Sequence, residues 1–182
     1  MAVRYKTIFS SNNIYFITFT SCDWQNVFVE EKYCNLVYKW FDYAKEKYSN
    51  KIHAYVIMPN HIHVLMYISN RSPDISKLIQ NAKRFLAYGI VDLLKKDNKN
   101  DLLEIFEQKA NYKKGSKHKV FEARYDSKII ESENIFIEKL NYIHRNPCTE
   151  KWHLVDLPEK YPYSSAANYL SGKGIYAVDF LL

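Results

Sequence analysis

The sequence predicts an α+β fold, in which strands and helices follow one another as β-α-β-β-α-β-α before an irregular tail. Three observations support this class. The chain has 182 residues, the length of one domain with a single core. Hydrophobic residues reach 47% and there are only 4 Gly and 5 Pro, which excludes a disordered or collagen-like chain. The hydrophobic pattern changes repeatedly between strand and helix periods. This order is typical of a ferredoxin-like or RRM-like sandwich with an antiparallel sheet and helices over one face, so we treat residues 1–182 as one domain.

The first half of the chain contains three predicted strands and one helix. Asn13–Ser21 (NIYFITFTS) is β-branched and aromatic, as strands commonly are. Apolar residues at helical spacing predict an amphipathic helix over residues 30–48. Lys51–Met58 and residues 61–69 are apolar segments on either side of the turn-forming pair Pro59-Asn60. They therefore predict a β-hairpin.

The second half begins with a helix that Ser72 is expected to cap, with Pro73 at its first position. Its apolar face continues to Leu94. Residues 95–119 include KKDNKND and KKGSKHK and predict a charged, mobile insertion. A strand over residues 119–130 and a helix capped by Ser132 follow. That helix ends near residue 146, since a proline at 147 disfavours helix before it, and residues 152–182 form a tail with a turn of helix at 164–170.

Charge and cysteine content indicate the kind of binding partner and the cellular compartment of the protein. Lys plus Arg exceed Asp plus Glu by 26 − 20 = 6, and aromatic residues reach 16%. A basic surface attracts polyanions and exposed aromatics can stack on bases, although many proteins with other partners share this composition. No apolar run approaches the ~20 residues of a membrane span, so we expect no membrane partner. Three widely spaced cysteines without a CxxC pair are typical of free thiols in a cytoplasmic protein.

The first candidate site is the His61-Ile62-His63 sequence in the third strand. Side chains alternate along a strand, so His61 and His63 share one face while Ile62 lies on the apolar, buried face. The two imidazoles are about 7 Å apart along the strand and could converge on one metal ion. Such a pair is more often only part of a polar strand face. No cysteines at metal-ligand spacing are present, which argues against a structural zinc site.

The last helix provides a second group of candidates. Phe136, Leu140 and Ile143 form one stripe, which we expect to face the core. Tyr142 and Asn146 lie one turn apart on a neighbouring stripe, and His144 is nearly opposite Tyr142. An Asn amide oxygen could complete a metal site begun by two imidazoles, with Tyr142 beside it. With 16 tyrosines in the chain, this pattern alone is weak.

Two segments in this order carry a resemblance to a known family. Met58–Leu65 (MPNHIHVL) and, about 80 residues later, residues 142–147 (YIHRNP) resemble the single-tyrosine HUH transposases of the insertion-sequence-200-like family. The sequence is most similar to the REP-associated tyrosine transposases. Residues 121–126 and 161–165 also resemble segments of those proteins, so the resemblance extends from the first strand to about residue 170. The charged insertion is longer than in short members of that family.

The resemblance implies an enzyme that cleaves and rejoins hairpin-flanked single-stranded DNA. Tyr142 would be the nucleophile and would keep a 5′-phosphotyrosine link. His61 and His63 would hold a divalent ion, Mg²⁺ or Mn²⁺, with Asn146 as third ligand. A covalent link conserves bond energy, so rejoining needs no ATP, and the sequence has no GxxxxGK[ST] phosphate loop. The resemblance also implies a cytoplasmic protein whose substrate is DNA of the bacterial nucleoid. It leaves open whether the protein acts as a homodimer or as a monomer.

DNA binding is predicted for cations of the second helix, the insertion and the segments near the site: Lys83, Arg84, Lys113, Lys114, Lys117, Lys119, Arg124 and Arg145. Two other functions compete with the transposase. One is a non-catalytic module that binds single-stranded nucleic acid on its sheet, although RNP aromatic motifs are not recognisable. The other is a metal-dependent hydrolase in which the His pair activates water.

Overall fold

The computed structural model describes residues 9–110 and 115–181 and confirms the predicted α+β class. The four strands are β1 (Asn13–Ser21), β2 (Lys51–Met58), β3 (His61–Ile68) and β4 (Phe121–Ile129). The helices are α1 (Glu31–Tyr48), α2 (Ile75–Lys96), α3 (Asn100–Gln108), α4 (Glu133–Arg145) and α5 (Ala166–Leu170). A short 3-10 turn, Asn146–Cys148, follows α4 directly.

The sheet has the strand order β2-β3-β1-β4, and each neighbouring pair is antiparallel. β1 and β3 are therefore the central strands. Their register pairs Thr18 with His63 and Thr20 with His61. Directly paired residues point to the same side of a sheet. The register thus groups two threonines of β1 with the two histidines of β3.

One face of the sheet carries the main hydrophobic core, which α1 and α2 cover. The apolar face expected for β3 is confirmed, because Ile62 and the other β3 residues on that side, Val64, Met66 and Ile68, are fully buried. The side chains that the two central strands contribute to this cluster are Tyr15, Ile17, Phe19, Ile62, Val64, Met66 and Ile68.

A second hydrophobic cluster lies on the opposite face, under α4 and the tail. The expectation that helices cover one face only is wrong, because α4 also has an apolar stripe that needs a partner. Phe136 and Ile143 of that stripe are buried against the sheet, as predicted for this helix. From the tail, Tyr161 packs here and its hydroxyl donates to the Ile57 carbonyl at 2.9 Å. As a result, α4 lies over the sheet face that carries His61 and His63.

The cap of α2 differs from the sequence prediction, whereas that of α4 agrees. Asp74, not Ser72, caps α2, since its carboxylate accepts from the Lys77 amide at 3.0 Å. Ser72 lies before the helix, in a turn in which its amide donates to the Ser69 carbonyl. Ser132 caps α4, and its hydroxyl accepts from the Ile135 amide at 3.4 Å.

The prediction of a mobile insertion over residues 95–119 is wrong for most of that segment. α2 continues to Lys96, and α3 then folds back so that Phe106 is fully buried in the main core. The Phe106 carbonyl also accepts from the Lys119 amide, which returns the chain to β4. The high charge of this segment concealed the apolar residues of α3.

Two of the sequence predictions concern the state of the cysteines and membrane-spanning segments. Cys22, Cys34 and Cys148 are free thiols, and the first two are buried. Within residues 9–110 and 115–181, no helix combines the length and apolar character needed to cross a membrane.

Candidate active site

A cleft of about 240 Å³ lies where the central strands meet the end of α4 and the turn after it. His61 and His63 reach it from β3, Tyr142 from α4, and Asn146 from the turn. The structure therefore brings together the four residues that the sequence singled out. The cleft is lined by Thr18, Thr20, Trp24, His61, His63, Tyr142, Asn146, Thr149, Lys151 and Trp152.

Both histidines are oriented by hydrogen bonds at Nδ1. His61 Nδ1 lies 2.8 Å from Asn60 Oδ1, an acceptor, so this nitrogen carries the proton and donates. His63 Nδ1 lies 2.7 Å from Thr18 Oγ1. Its Nε2 is buried and has no hydrogen-bond partner among the described residues, so a proton on Nδ1 avoids an unpaired buried N–H. In this arrangement each Nε2 offers a lone pair.

Burial keeps both imidazoles neutral. Loss of hydration, with a smaller contribution from the nearby Lys151 charge, lowers the pKa of His61 to about 4. Burial also lowers the pKa of His63 to about 3, with a smaller contribution from His61. The two ring centroids are 4.7 Å apart. Near neutral pH both side chains are therefore in the form that can coordinate a metal.

Asn146 adds an oxygen to this pair of nitrogens. Its side chain is buried, and Oδ1 has no hydrogen-bond partner within the described part of the chain. An unpaired buried amide oxygen and an unpaired buried imidazole nitrogen in one cleft are costly unless a ligand satisfies them. Two imidazoles and an amide oxygen are a donor set that fits a divalent cation.

Tyr142 lies at the His63 end of the cleft and is 49% exposed. Its ring meets the His63 ring edge-on, with centroids 5.1 Å apart, and lies 5.9 Å from the Phe16 ring. Phe16 in turn stacks on His63 at 5.4 Å. The phenol is thus fixed beside the histidines while solvent and substrate can still reach it.

His144 lies outside the cleft, as its helical position predicted. It is buried on the other side of α4, where Nε2 lies 2.9 Å from Ser165 Oγ. Burial lowers its pKa to about 4. We therefore assign it a packing role.

A second group of possible metal ligands is satisfied within the protein. Cys22, Asp23 and Glu122 bring one ligand atom each to within 4.8 Å of one another. However, Asp23 pairs with Lys109 at 2.6 Å and Glu122 pairs with Lys119 at 2.7 Å. These ion pairs account for both carboxylates, so we assign no metal there.

The cations predicted to bind DNA fall into different environments. Lys83 donates to the Glu122 and Arg124 carbonyls, both at 2.8 Å, and so supports β4. Lys119 pairs with Glu122, and Arg124 pairs with Asp126. Arg84, Lys117 and Arg145 are exposed, and no ion pair is found for them in the described ranges. Lys113 and Lys114 lie outside the described residues.

Several of these cations line a groove of about 1170 Å³ between α2 and the segment before β4, which we call the α2 groove. Its basic side chains outnumber its acidic ones, Asp74, Asp92 and Glu122. The basic members are Lys77, Lys83, Arg84, Lys95, Lys117 and Lys119.

Sequence reasoning placed only four of the ten lining residues at the site, and it also missed Asn60. Thr18 and Asn60 orient the histidines, and only the strand register and the turn after β2 reveal this. Trp24, which follows β1, and the adjacent residues Lys151 and Trp152, which follow α4, form one wall of the cleft although the two segments are far apart in the chain. The fact that Asn60 adjoins His61 was the one available signal.

Of three comparisons with known proteins, the one with solved structures supports this fold. No protein-family model matches the chain, and no curated protein matches it. A solved structure of a REP-associated tyrosine transposase bound to a REP hairpin is similar, with a TM-score of 0.67 and 16% identity. The alignment covers 99% of this chain and 92% of that one. This chain therefore has the fold of that transposase.

A second solved structure, from Deinococcus radiodurans R1 and named a candidate transposase, has a TM-score of 0.48 and 16% identity. That alignment covers 78% of this chain and 95% of the other.

Proposed function

We propose that this protein is a DNA transposase of the REP-associated tyrosine family, which cleaves and rejoins single-stranded DNA beside a hairpin. The observation that supports this most is the position of Tyr142 against His63 in the cleft that His61 and Asn146 also line. The shared fold with a transposase bound to a REP hairpin supports hairpin DNA as the substrate class.

Tyr142 is the proposed nucleophile. Its phenol oxygen bonds to the phosphorus of a phosphodiester, the bond from phosphorus to O3′ breaks, and the departing oxygen takes up a proton. The phenol proton leaves to solvent through the exposed part of the side chain. The products are a 5′-phosphotyrosine and a free 3′-hydroxyl. Attack of a 3′-hydroxyl on the phosphotyrosine reverses the step, so joining needs no ATP.

His61, His63 and Asn146 are the proposed ligands of a divalent cation, Mn²⁺ or Mg²⁺. The support is the pair of unsatisfied buried atoms, His63 Nε2 and Asn146 Oδ1, together with the neutral state of both imidazoles. A bound divalent ion would neutralise charge on the phosphate under attack. Thr18 and Asn60 act as positioning residues, since they fix which ring nitrogen faces the cleft.

The α2 groove and Arg145 are the proposed contacts to the DNA backbone. Cationic side chains without an internal partner bind DNA phosphates, and this binding releases counterions from the DNA. Side chains already held in ion pairs contribute less to DNA affinity. Among the described candidates, this favours Arg84, Lys117 and Arg145 over Lys83, Lys119 and Arg124, which have internal partners.

The test is covalent capture of DNA on a denaturing gel. Hairpin-containing single strands labelled at the 3′ end are incubated with protein and Mn²⁺, because the 3′ segment would carry the protein. We expect a shifted band with wild type and none with Tyr142→Phe. Tyr43→Phe, another exposed tyrosine on α1, is the matched control and should behave as wild type.

Two results would overturn the proposal. Cleaved DNA without an adduct, unchanged in Tyr142→Phe, would indicate the hydrolase in which the histidines activate water. Adducts that persist in Tyr142→Phe would assign the nucleophile to another residue.

A further inference from the structure

One wall of the cleft has an aromatic and cationic character that the proposed chemistry does not use. Lys151 Nζ lies 5.4 Å from the centroid of the Trp24 ring and 5.6 Å from that of the Trp152 ring. The His61 ring lies 6.2 Å from Trp24 and 5.6 Å from Trp152. The remaining tryptophan, Trp40, is buried in the main core. Two of the three tryptophans therefore flank the candidate site.

Trp24 is 58% exposed, so its position gains little from core packing. Its backbone nevertheless has φ 57, and the preceding Asp23 has φ 50 and ψ 31. Two successive non-glycine residues in the left-handed region are unusual, and such strain occurs mainly at functional sites. The strain is therefore not explained by burial of the indole.

Specific contacts hold this conformation. Asn60 Nδ2 donates to the Trp24 carbonyl at 3.0 Å, while Oδ1 of the same side chain accepts from His61. The Asp23 amide donates to Glu122 at 3.0 Å, and the Asp23 carboxylate pairs with Lys109. A single amide side chain therefore positions both a proposed metal ligand and the exposed indole.

We propose that Trp24, Lys151 and Trp152 form a nucleotide slot, in which the indoles stack on an unpaired base and Lys151 binds its phosphate. This inference rests on the proposed function in taking single-stranded DNA as the occupant. Base stacking on aromatic side chains is strong and accepts every base, and an adjoining cation recognises the backbone. The α2 groove, by contrast, shares no lining residue with the cleft.

The position of the slot also assigns the nucleotide it holds. Tyr142 lies against His63 at one end of the cleft, and the two indoles lie against His61 at the other. In phosphoryl transfer the attacking and departing oxygens are roughly in line. The departing O3′ is therefore directed away from Tyr142, towards the indoles. The slot holds the nucleotide on the 5′ side of the cleaved bond.

The first test uses tryptophan fluorescence with a ten-nucleotide oligothymidine and needs no chemistry. We expect quenching on binding to wild type and to Tyr142→Phe. Trp24→Ala and Trp152→Ala should each bind about tenfold more weakly, and Trp24→Phe should restore most of the affinity. Lys151→Gln should weaken binding and reduce its salt dependence. Tyr43→Ala and Lys173→Gln, exposed residues outside the cleft, are the matched controls.

Bound oligothymidine, detected by anisotropy, without quenching would overturn the slot. So would equal affinities for Trp24→Ala, Trp152→Ala and Tyr43→Ala.

The second test fixes the position of the nucleotide. In a hairpin substrate whose cleavage site has been mapped, an abasic residue immediately 5′ of that site should weaken binding to wild type but not further weaken binding to Trp24→Ala. An equal loss in both proteins would contradict the assigned position. An adduct that forms normally in both tryptophan variants, with unchanged affinity, would reject the slot while leaving the transposase function intact. Quenching without any Tyr142-dependent adduct would support the slot and reject the proposed chemistry.

Discussion

The hydroxyl of Thr18 has a large role at the candidate site because it is the hydrogen-bond partner of His63 Nδ1. In Thr18→Val the ring loses this partner while the strand keeps a β-branched residue. We expect affinity for Mn²⁺ to fall about 10- to 100-fold, as is usual when a ligand loses its orienting contact. Titration calorimetry with Mn²⁺ measures this effect.

Thr20→Val is the control for that experiment. Thr20 also lines the cleft, opposite His61 in the β-ladder, but Asn60 is the residue that orients His61. Its replacement should leave Mn²⁺ affinity within about twofold of wild type, the range of ordinary surface changes. Equal affinities for wild type and Thr18→Val would show that Thr18 does not position the ligand.

The protonation state of His53 makes the stability of the folded protein depend on pH. It is buried beside Phe136, and its Nδ1 donates to the Asp179 carbonyl at 2.5 Å. Burial lowers the pKa of His53, so the folded state binds fewer protons than the unfolded state, whose histidine titrates near 6.5. The stability contributed by neutral His53 is thus present above about pH 6.5 and decreases as pH falls below it.

The measurement is urea unfolding of wild type and His53→Gln between pH 5 and 8. Gln keeps an N–H donor for Asp179 but does not titrate. We expect the variant to lose less stability between pH 7 and pH 5 than wild type. Parallel curves for the two proteins would contradict a buried, neutral His53.

Among the elements, α2 and β4 are linked by side-chain hydrogen bonds, and one side chain of α2, Lys83, bonds to the β4 backbone. The ammonium of Lys83 donates to backbone carbonyls of β4 and lies 5.6 Å from the Tyr125 ring centroid. Lys83→Met leaves those carbonyls without this donor. We expect the free energy of unfolding to fall by about 1–2 kcal/mol, the net contribution of hydrogen bonds from a charged donor to partly exposed carbonyls.

Arg84, the next residue of α2, provides the matched comparison because it is exposed on the α2 groove. Arg84→Met should leave stability within about 0.5 kcal/mol and reduce the salt slope of DNA binding by about 1. Urea unfolding and binding titrations at several salt concentrations measure both. If Lys83→Met changed the salt slope and Arg84→Met changed stability, the assigned roles would be reversed.

The elements themselves were largely predictable because hydrophobic period and capping are local properties of the sequence. β1 and β2 have the predicted bounds, and Ser132 caps α4 as expected. Residues 95–119 were misjudged since their lysines and acids outweigh the few apolar positions, although Phe106 is buried in the core. Local charge gives no information about which side chain the rest of the fold will bury.

At the scale of the whole molecule, the site depends on contacts between distant segments. The resemblance in sequence motifs pointed to His61, His63, Tyr142 and Asn146, and the fold places all four in one cleft. The pairing of Thr18 with His63 follows from the register of β1 and β3, which no local pattern specifies.

The wall formed by Trp24, Lys151 and Trp152 was also beyond sequence reasoning. It requires a left-handed turn after β1, which glycine or asparagine would have signalled and tryptophan does not. It also requires the segment after α4 to return to β3, a consequence of the second hydrophobic cluster. Functional residues of this kind become visible only when both faces of the sheet are known.

The role of Tyr142 as the covalent nucleophile is tested by reacting the protein with hairpin DNA and Mn²⁺, digesting it with nuclease and protease, and analysing the peptides by mass spectrometry. We expect a peptide containing Tyr142 that carries a 5′-linked nucleotide, and we expect this peptide to be absent from Tyr142→Phe and from reactions without divalent cation. A nucleotide on another residue, or cleaved DNA with an unmodified Tyr142 peptide, would contradict this role.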